Sequence, residues 1–170
     1  MPATDPRSDD ALSDRDAALG MTIDESARRL GHIVWAERRL FELLGGWVTS
    51  TPEPPVKLAL ARRSRHHAAH AATLDVVLPD TRDHDPRALV AAPDPEEPAR
   101  FAELAARTGT GARLAALVDD LLPQRLEACE AFLAGASAVR DGPAVRALIL
   151  VLAEERAELT DLRALRLALA

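Results

Sequence analysis

Two histidines, His67 and His70, and one arginine, Arg63, interrupt an apolar pattern near the middle of the chain. Read at alternating steps of four and three residues, the stretch from Pro55 to Leu78 has one apolar side that these three side chains share. This is the pattern of a helix of about seven turns. Polar side chains that face the interior of a protein destabilise it unless a partner pairs with them. We therefore expect other helices to bring partners to this position.

Glutamates interrupt two further apolar stripes in the same way. Glu37 lies in the middle of the first stripe of the chain, and Glu155 lies in the middle of the last one. We count residues from the connections between the helices, at a rise of about 1.5 Å per helical residue. This count puts Glu37 and Glu155 near the level of His67. It puts Arg125, from a fourth segment, at the same level. Glu158 follows Glu155 by three residues and lies at the edge of its stripe. The sequence thus predicts one polar layer built from four helices.

A metal ion is one partner that this layer predicts. Carboxylates and imidazoles are oxygen and nitrogen ligands that suit Fe, Mn or Zn, and an ion with an open position activates water or dioxygen. Arg63 would orient a ligand carboxylate or hold an anionic substrate through two parallel hydrogen bonds. Arg63 and Glu155 are therefore the predicted catalytic residues. The predicted metal ligands are Glu37, His67, His70, Glu155 and Glu158.

An ion-pair layer without a metal is the alternative that the same residues leave open. Glu37 and Glu155 supply two negative charges, and Arg63 and Arg125 supply two positive ones, so the layer is balanced with no cofactor. The histidines would then complete a hydrogen-bond network. Buried pairs of this kind add specificity more reliably than stability. Such a protein would bind an organic ligand in the layer or serve as a structural scaffold.

Four long helices must position these side chains, and few stretches alternate with period two, so the predicted class is all-α. Residues 1–20 are predicted to be a flexible tail and residues 21–170 a four-helix bundle domain. The predicted helices cover about residues 23–50, 55–78, 112–136 and 143–169. Residues 79–99 contain five prolines and form the predicted crossover loop, which allows the second and third helices to run parallel. Pro123 either kinks the third helix or begins it.

With this arrangement the chain resembles the ferritin-like superfamily over residues 23–170. That family places a glutamate on the first and third helices of a four-helix bundle and Glu-x-x-His on the second and fourth. Glu37 matches the glutamate of the first helix. The second helix carries Arg63-x-x-His66 and His67-x-x-His70, and the fourth carries Glu155-x-x-Glu158. The resemblance implies a metal-dependent oxidase or oxygenase that acts on a small molecule. Fe or Mn is the expected metal, and Zn is less suited to this chemistry.

Composition indicates which partners and which cellular location to expect for the protein. A net charge of −6 argues against nucleic acid, since phosphate binding relies on a basic surface. No apolar stretch is long enough to span a bilayer and none resembles a signal peptide, so we expect a cytoplasmic protein without a membrane partner. The single cysteine, Cys129, is expected to be a buried thiol. Leu43, Leu58 and Val76 lie on the backs of the first two helices, which predicts a homodimer.

Overall fold

The computed structural model describes residues 20–169 of the 170-residue chain. The predicted tail lies outside the described residues except for Gly20. Within residues 20–169 the regular structure is helical, and the only strand-like pairing there is an isolated bridge between Thr81 and His84. The predicted all-α class is therefore confirmed.

Seven α-helices and one π-helical segment make up the described chain. None of them combines the length and the apolar character that a bilayer crossing requires; the cytoplasmic location stays a prediction. The elements are α1 (Ile23–Ser50), α2 (Pro54–Asp75), α3 (Pro86–Leu89), α4 (Glu97–Ala105), α5 (Thr110–Ala115), a π-helical segment (Ala116–Leu121), α6 (Leu122–Gly135) and α7 (Gly142–Leu167).

The ends of the helices show how they run. Only three residues separate α1 from α2, so the two pack as antiparallel neighbours. The backbone N–H of Met21 donates to the carbonyl of Gly135, which puts the end of α6 beside the start of α1. Thr110 donates to Glu53, which puts the start of α5 beside the turn between α1 and α2. The run from α5 to α6 is therefore parallel to α2, as the long crossover predicts.

Pro123 lies inside a continuous helical run and does not begin a helix. Proline has no N–H, and its ring clashes with the carbonyl four residues before it in a regular helix, here that of Asp119. The π-helical segment ends at Leu121, two residues before Pro123. A π-helical turn is wider than an α-helical turn, and such turns mark places where the regular ladder of hydrogen bonds is interrupted. The helix thus accommodates Pro123 without ending.

The buried side of α1 differs from the predicted stripe at its ends. Ile23 and Phe41 are 54% and 45% exposed, whereas Leu40, Leu43 and Trp47 are buried. Steps of four and three average 3.5 residues per turn, so the stripe drifts by about 20° every seven residues from a straight helix. The expectation that Leu43 is exposed was also wrong. Leu43 lies about 100° around the helix from Leu44, which is more than this drift, and it is buried in the same cluster as Phe101 and Leu104 of α4.

Only two of the three residues of the predicted dimer face are exposed. Leu58 and Val76 remain exposed, at 71% and 82%, but Leu43 lies in the core with 5% exposure. The homodimer stays a prediction.

The crossover covers one side of α1. It contains two short helices, α3 and α4. A Cβ atom on Gly31 of α1 would lie 2.1 Å from the carbonyl oxygen of Leu89, so only glycine allows α3 to approach this closely. In α4, Phe101 packs edge-on against Trp35 of α1, with ring centroids 5.4 Å apart.

The apolar core is divided into two clusters, one toward each end of the long helices. Charged and polar residues separate the clusters on α1, α2, α6 and α7. The first cluster includes Leu40, Leu44, Trp47, Leu60, Leu117 and Leu159. The second includes Leu30, Val34, Leu74, Phe132, Leu148 and Leu152.

Candidate metal centre

The polar layer between the two clusters contains the predicted residues. Glu37 comes from α1, His67 and His70 from α2, Arg125 from α6 and Glu155 from α7. All five are buried, and Glu37, His67 and Glu155 have no exposed surface. Each lies between apolar residues of its own helix that belong to the two clusters. The packing of those residues fixes the height at which the five polar side chains meet.

Glu37 is the centre of the hydrogen bonds in this layer. The Nδ1–H of His67 donates to its Oε2 at 2.7 Å, and Nη2 of Arg125 donates to its Oε1 at 2.5 Å. Nδ1 of His70 lies 3.6 Å from Oε2 of Glu37 and 3.9 Å from Oε1 of Glu155. The two glutamates and two histidines thus face one small volume.

Several atoms around that volume have no hydrogen-bond partner within residues 20–169. They are Nε2 of His67, Nδ1 of His70 and both carboxylate oxygens of Glu155. Leaving a buried polar atom without a partner costs about 1–3 kcal/mol, so four of them in one layer require an explanation. All four atoms are of the kinds that coordinate metal ions.

The spacing of the group fits a metal ion. Glu37, His67, His70 and Glu155 each offer one ligand atom, and these atoms lie within 4.8 Å of one another. Ligand atoms about 2.1 Å from an ion lie at most about 4.2 Å apart. A small contraction of the group is therefore enough for it to enclose an ion.

Burial and neighbouring charges separate the pKa values of the two glutamates. Burial, reinforced by the negative charge of Glu37, raises the pKa of Glu155 well above its usual range. Burial acts in the same direction on Glu37, but the charge of Arg125 and the contact with His67 outweigh it and hold the pKa of Glu37 well below its usual range. Without a metal ion, these shifts favour the ionised form of Glu37 and the protonated form of Glu155.

His70 is held between acids from two helices. Burial lowers its pKa, but the contacts with Glu37, Glu154 and Glu155 prevail and raise the pKa to about 9. A metal ion that uses Nδ1 must therefore displace a proton from His70 as well as from Glu155.

Glu154 is a member of the site that the sequence reasoning missed. Its Oε2 accepts a hydrogen bond from Nε2–H of His70 at 2.7 Å, although half of its side chain is exposed. Carboxylates commonly fix a metal-binding histidine in this way, because the bond to one ring nitrogen directs the other toward the ion. Glu154 lies about 100° from Glu155 around the helix. The only signal in the sequence is that the two glutamates are adjacent.

Glu158 and Arg63 lie in a neighbouring cluster, outside the four-residue group. Oε2 of Glu158 lies 2.9 Å from Nη1 of Arg63, and its Oε1 contacts Nδ1 of His66. Nη2 of Arg63 also lies 3.3 Å from the carboxylate of Asp161. Arg63 therefore pairs with the glutamate predicted as a fifth ligand, and within residues 20–169 it makes no ion pair with Glu155.

Comparison with known proteins gives no function for the site. The chain matches no family model, no curated protein and no solved structure. The ferritin-like resemblance rests on the pattern of residues and helices. The chemistry has to be argued from the side chains themselves.

Proposed function

We propose that the chain is a ferritin-like four-helix bundle that binds one Fe or Mn ion and acts as a metal-dependent oxidase or oxygenase on a small molecule. The proposed ligands are Glu37, His67, His70 and Glu155. The observation that carries the proposal is that these four buried groups converge while three of them, His67, His70 and Glu155, carry ligand atoms with no hydrogen-bond partner within residues 20–169. Two imidazoles with one or two carboxylates suit Fe and Mn, and such an ion would activate dioxygen.

The protein groups have distinct tasks in this proposal. Glu155 exchanges its proton for the ion, which removes the cost of its two unpartnered oxygens. Arg125 orients Glu37 through the 2.5 Å hydrogen bond. Glu154 orients His70 through Nε2 and leaves Nδ1 directed at the centre.

One ion, rather than two, suits the neighbouring cluster. The family pattern places a second set of ligands close to the first. Here Arg63 and Glu158 face each other, with side-chain exposures of only 2% and 5%. The guanidinium supplies the positive charge that a second ion would bring to Glu158. We therefore expect a single ion per chain.

A metal-free bundle is the second candidate, and one observation favours it. Arg125 pairs with Glu37 at 2.5 Å in a buried position, so an ion is not needed to neutralise this carboxylate. The layer would then be an ion-pair network in a ligand-binding or structural protein. Its weakness is Glu155, whose oxygens lie no closer than 3.9 Å to His70 and 4.0 Å to Arg125 in the ion pairs it makes.

Elemental analysis of protein purified without a chelating tag distinguishes the two candidates. We expect about one Fe or Mn per chain in the wild type and a loss of metal in Glu155→Gln and His70→Asn. His84→Asn is the matched control, because His84 lies in the crossover and contacts Asp24 and Thr81. A wild type without stoichiometric metal would favour the ion-pair network. Equal metal loss in the His84→Asn control would show that the metal is bound elsewhere.

A further inference from the structure

A cavity of about 290 Å³ lies between α1, α4 and α6 and is partly open to solvent. Its size is near the lower end of small-molecule pockets, about 300–1,000 Å³. Ile33, Phe101 and Leu121 give it apolar walls. The same cavity is lined by Arg125, which donates to Glu37. One side of the cavity is therefore separated from the proposed metal centre by a single side chain.

The charges around the cavity differ from those of the whole chain. The chain has a net charge of −6, yet the lining contains three arginines and one acid. Arg125 is 7% exposed, and its Nε has no hydrogen-bond partner within residues 20–169. Arg29 and Arg100 are more exposed, with 45% and 35% of their side chains accessible. Each of the three arginines also pairs with an acid, namely Glu25, Glu97 and Glu37. A negatively charged ligand would therefore be recognised by the N–H donors that these pairs leave free.

We propose that this cavity binds the substrate of the enzyme and that the substrate is a small carboxylate with an apolar body. The inference names the substrate class of the proposed function and rests on that function for its catalytic meaning. The apolar body lies against Ile33, Phe101 and Leu121, where burial removes apolar surface from water. The carboxylate meets Arg29 and Arg100 at the exposed side of the cavity.

The two outer arginines retain the donors that this recognition needs. Nη2 of Arg29 pairs with Glu25, and Nη1 of Arg100 pairs with Glu97. A guanidinium has five N–H donors in a planar fork, so each arginine keeps further donors for a carboxylate. Hydrogen bonds between two charged groups are stronger than those to a neutral hydroxyl. The cavity should therefore distinguish an acid from the alcohol of the same length.

Titration calorimetry with octanoate and octan-1-ol on chelator-treated protein tests the proposal. We expect octanoate to bind with one molecule per chain and octan-1-ol to bind about tenfold more weakly or not at all. Ala128→Phe fills the cavity from an exposed position on α6 and should weaken octanoate at least about tenfold. Ala164→Phe, at an exposed position on α7, is the matched control and should bind octanoate like the wild type.

Arg29→Gln and Arg100→Gln test the head-group contact. Both variants should bind octanoate more weakly than the wild type, and Arg163→Gln, an exposed position on α7, should not. Equal affinity for octanoate and octan-1-ol would overturn the proposed substrate class. Unchanged octanoate binding in Ala128→Phe, or no binding by the wild type, would overturn the cavity as the site.

The metal content of the same variants separates this inference from the proposed function. Ala128→Phe should keep its metal, because Ala128 lies in none of the groups around the centre. Octanoate binding in a protein that never takes up metal would refute the oxidase or oxygenase and leave the binding site standing. Metal uptake without octanoate binding would leave the proposed metal centre standing and overturn the cavity as the substrate site.

Discussion

Replacing Glu155 by methionine should stabilise the metal-free protein and abolish its metal binding. Glu155 has no exposed surface, and neither of its oxygens has a hydrogen-bond partner within residues 20–169. Burial and the charge of Glu37 raise its pKa, which favours the neutral carboxyl group in the metal-free protein. Methionine is unbranched and of similar length, and it adds no polar atom that needs a partner.

The size of the effect follows from the missing hydrogen bonds. A buried polar group without a partner costs about 1–3 kcal/mol, and methionine removes that cost. The free energy of unfolding should therefore rise by about 1–3 kcal/mol, which in a chain of this size corresponds to about 2–4 °C in Tm per kcal/mol. Metal reverses the order, because an ion at 1,000 times its Kd stabilises the wild type by about 4.1 kcal/mol, which exceeds the expected gain of the variant. The variant should gain almost none of this stability.

Urea unfolding with chelator and with added Mn²⁺ measures both effects. Leu159→Met is the matched control, since Leu159 is buried on the same helix and this exchange costs less than about 1.5 kcal/mol. The reasoning would be refuted if the metal-free Glu155→Met protein were no more stable than the wild type. Glu155 would then be partnered by His70 and Arg125, as in the ion-pair network.

Three further predictions concern other parts of the molecule. Gly31→Ala should destabilise the protein by about 1–3 kcal/mol, because its Cβ would lie 2.1 Å from the carbonyl oxygen of Leu89. Gly46→Ala, whose Cβ would meet no atom within 4 Å, should be neutral or stabilising in thermal melts. Equal effects of the two substitutions would show that α3 does not pack on Gly31. Burial raises the pKa of Asp141, but the hydrogen bonds from Ser137, Ser26 and Arg140 outweigh it and lower the pKa. The charge of Asp141 therefore stabilises the fold above the unfolded pKa of about 4. This stability is lost as the pH falls through the folded pKa. Asp141→Asn should therefore be less stable than the wild type at pH 7, and the difference should shrink in acid unfolding as the pH falls below the unfolded pKa of about 4. A difference that does not change with pH would contradict the assignment. Burial raises the pKa of Cys129 to about 12, so a thiol reagent at pH 8 should label Cys129 only after unfolding, and rapid labelling of the folded protein would show that the thiol is accessible.

The sequence predicted the four proposed ligands because a charged or polar residue inside a long apolar stripe is a strong signal. Glu37, His67, His70 and Glu155 each interrupt such a stripe, and counting along helices of known rise gave their common height. The structure brings these four together with Arg125.

The remaining features depend on contacts that periodicity does not encode. Glu154 reaches His70 from outside its stripe, because a glutamate side chain spans the distance around the helix. The cavity needs α4 to pack on α1 through Phe101, and the proline-rich crossover has no stripe that would indicate this position. Leu43 was misplaced for the same reason, because α4 packs on a side of α1 outside the stripe and buries Leu43 with Phe101 and Leu104.

A crystal of the protein soaked with Mn²⁺, with anomalous diffraction data, shows whether an ion binds in the polar layer. We expect one anomalous peak per chain, bounded by Glu37, His67, His70 and Glu155, with no peak between Arg63 and Glu158. A layer without a peak, in which Arg125 still pairs with Glu37, would contradict this expectation.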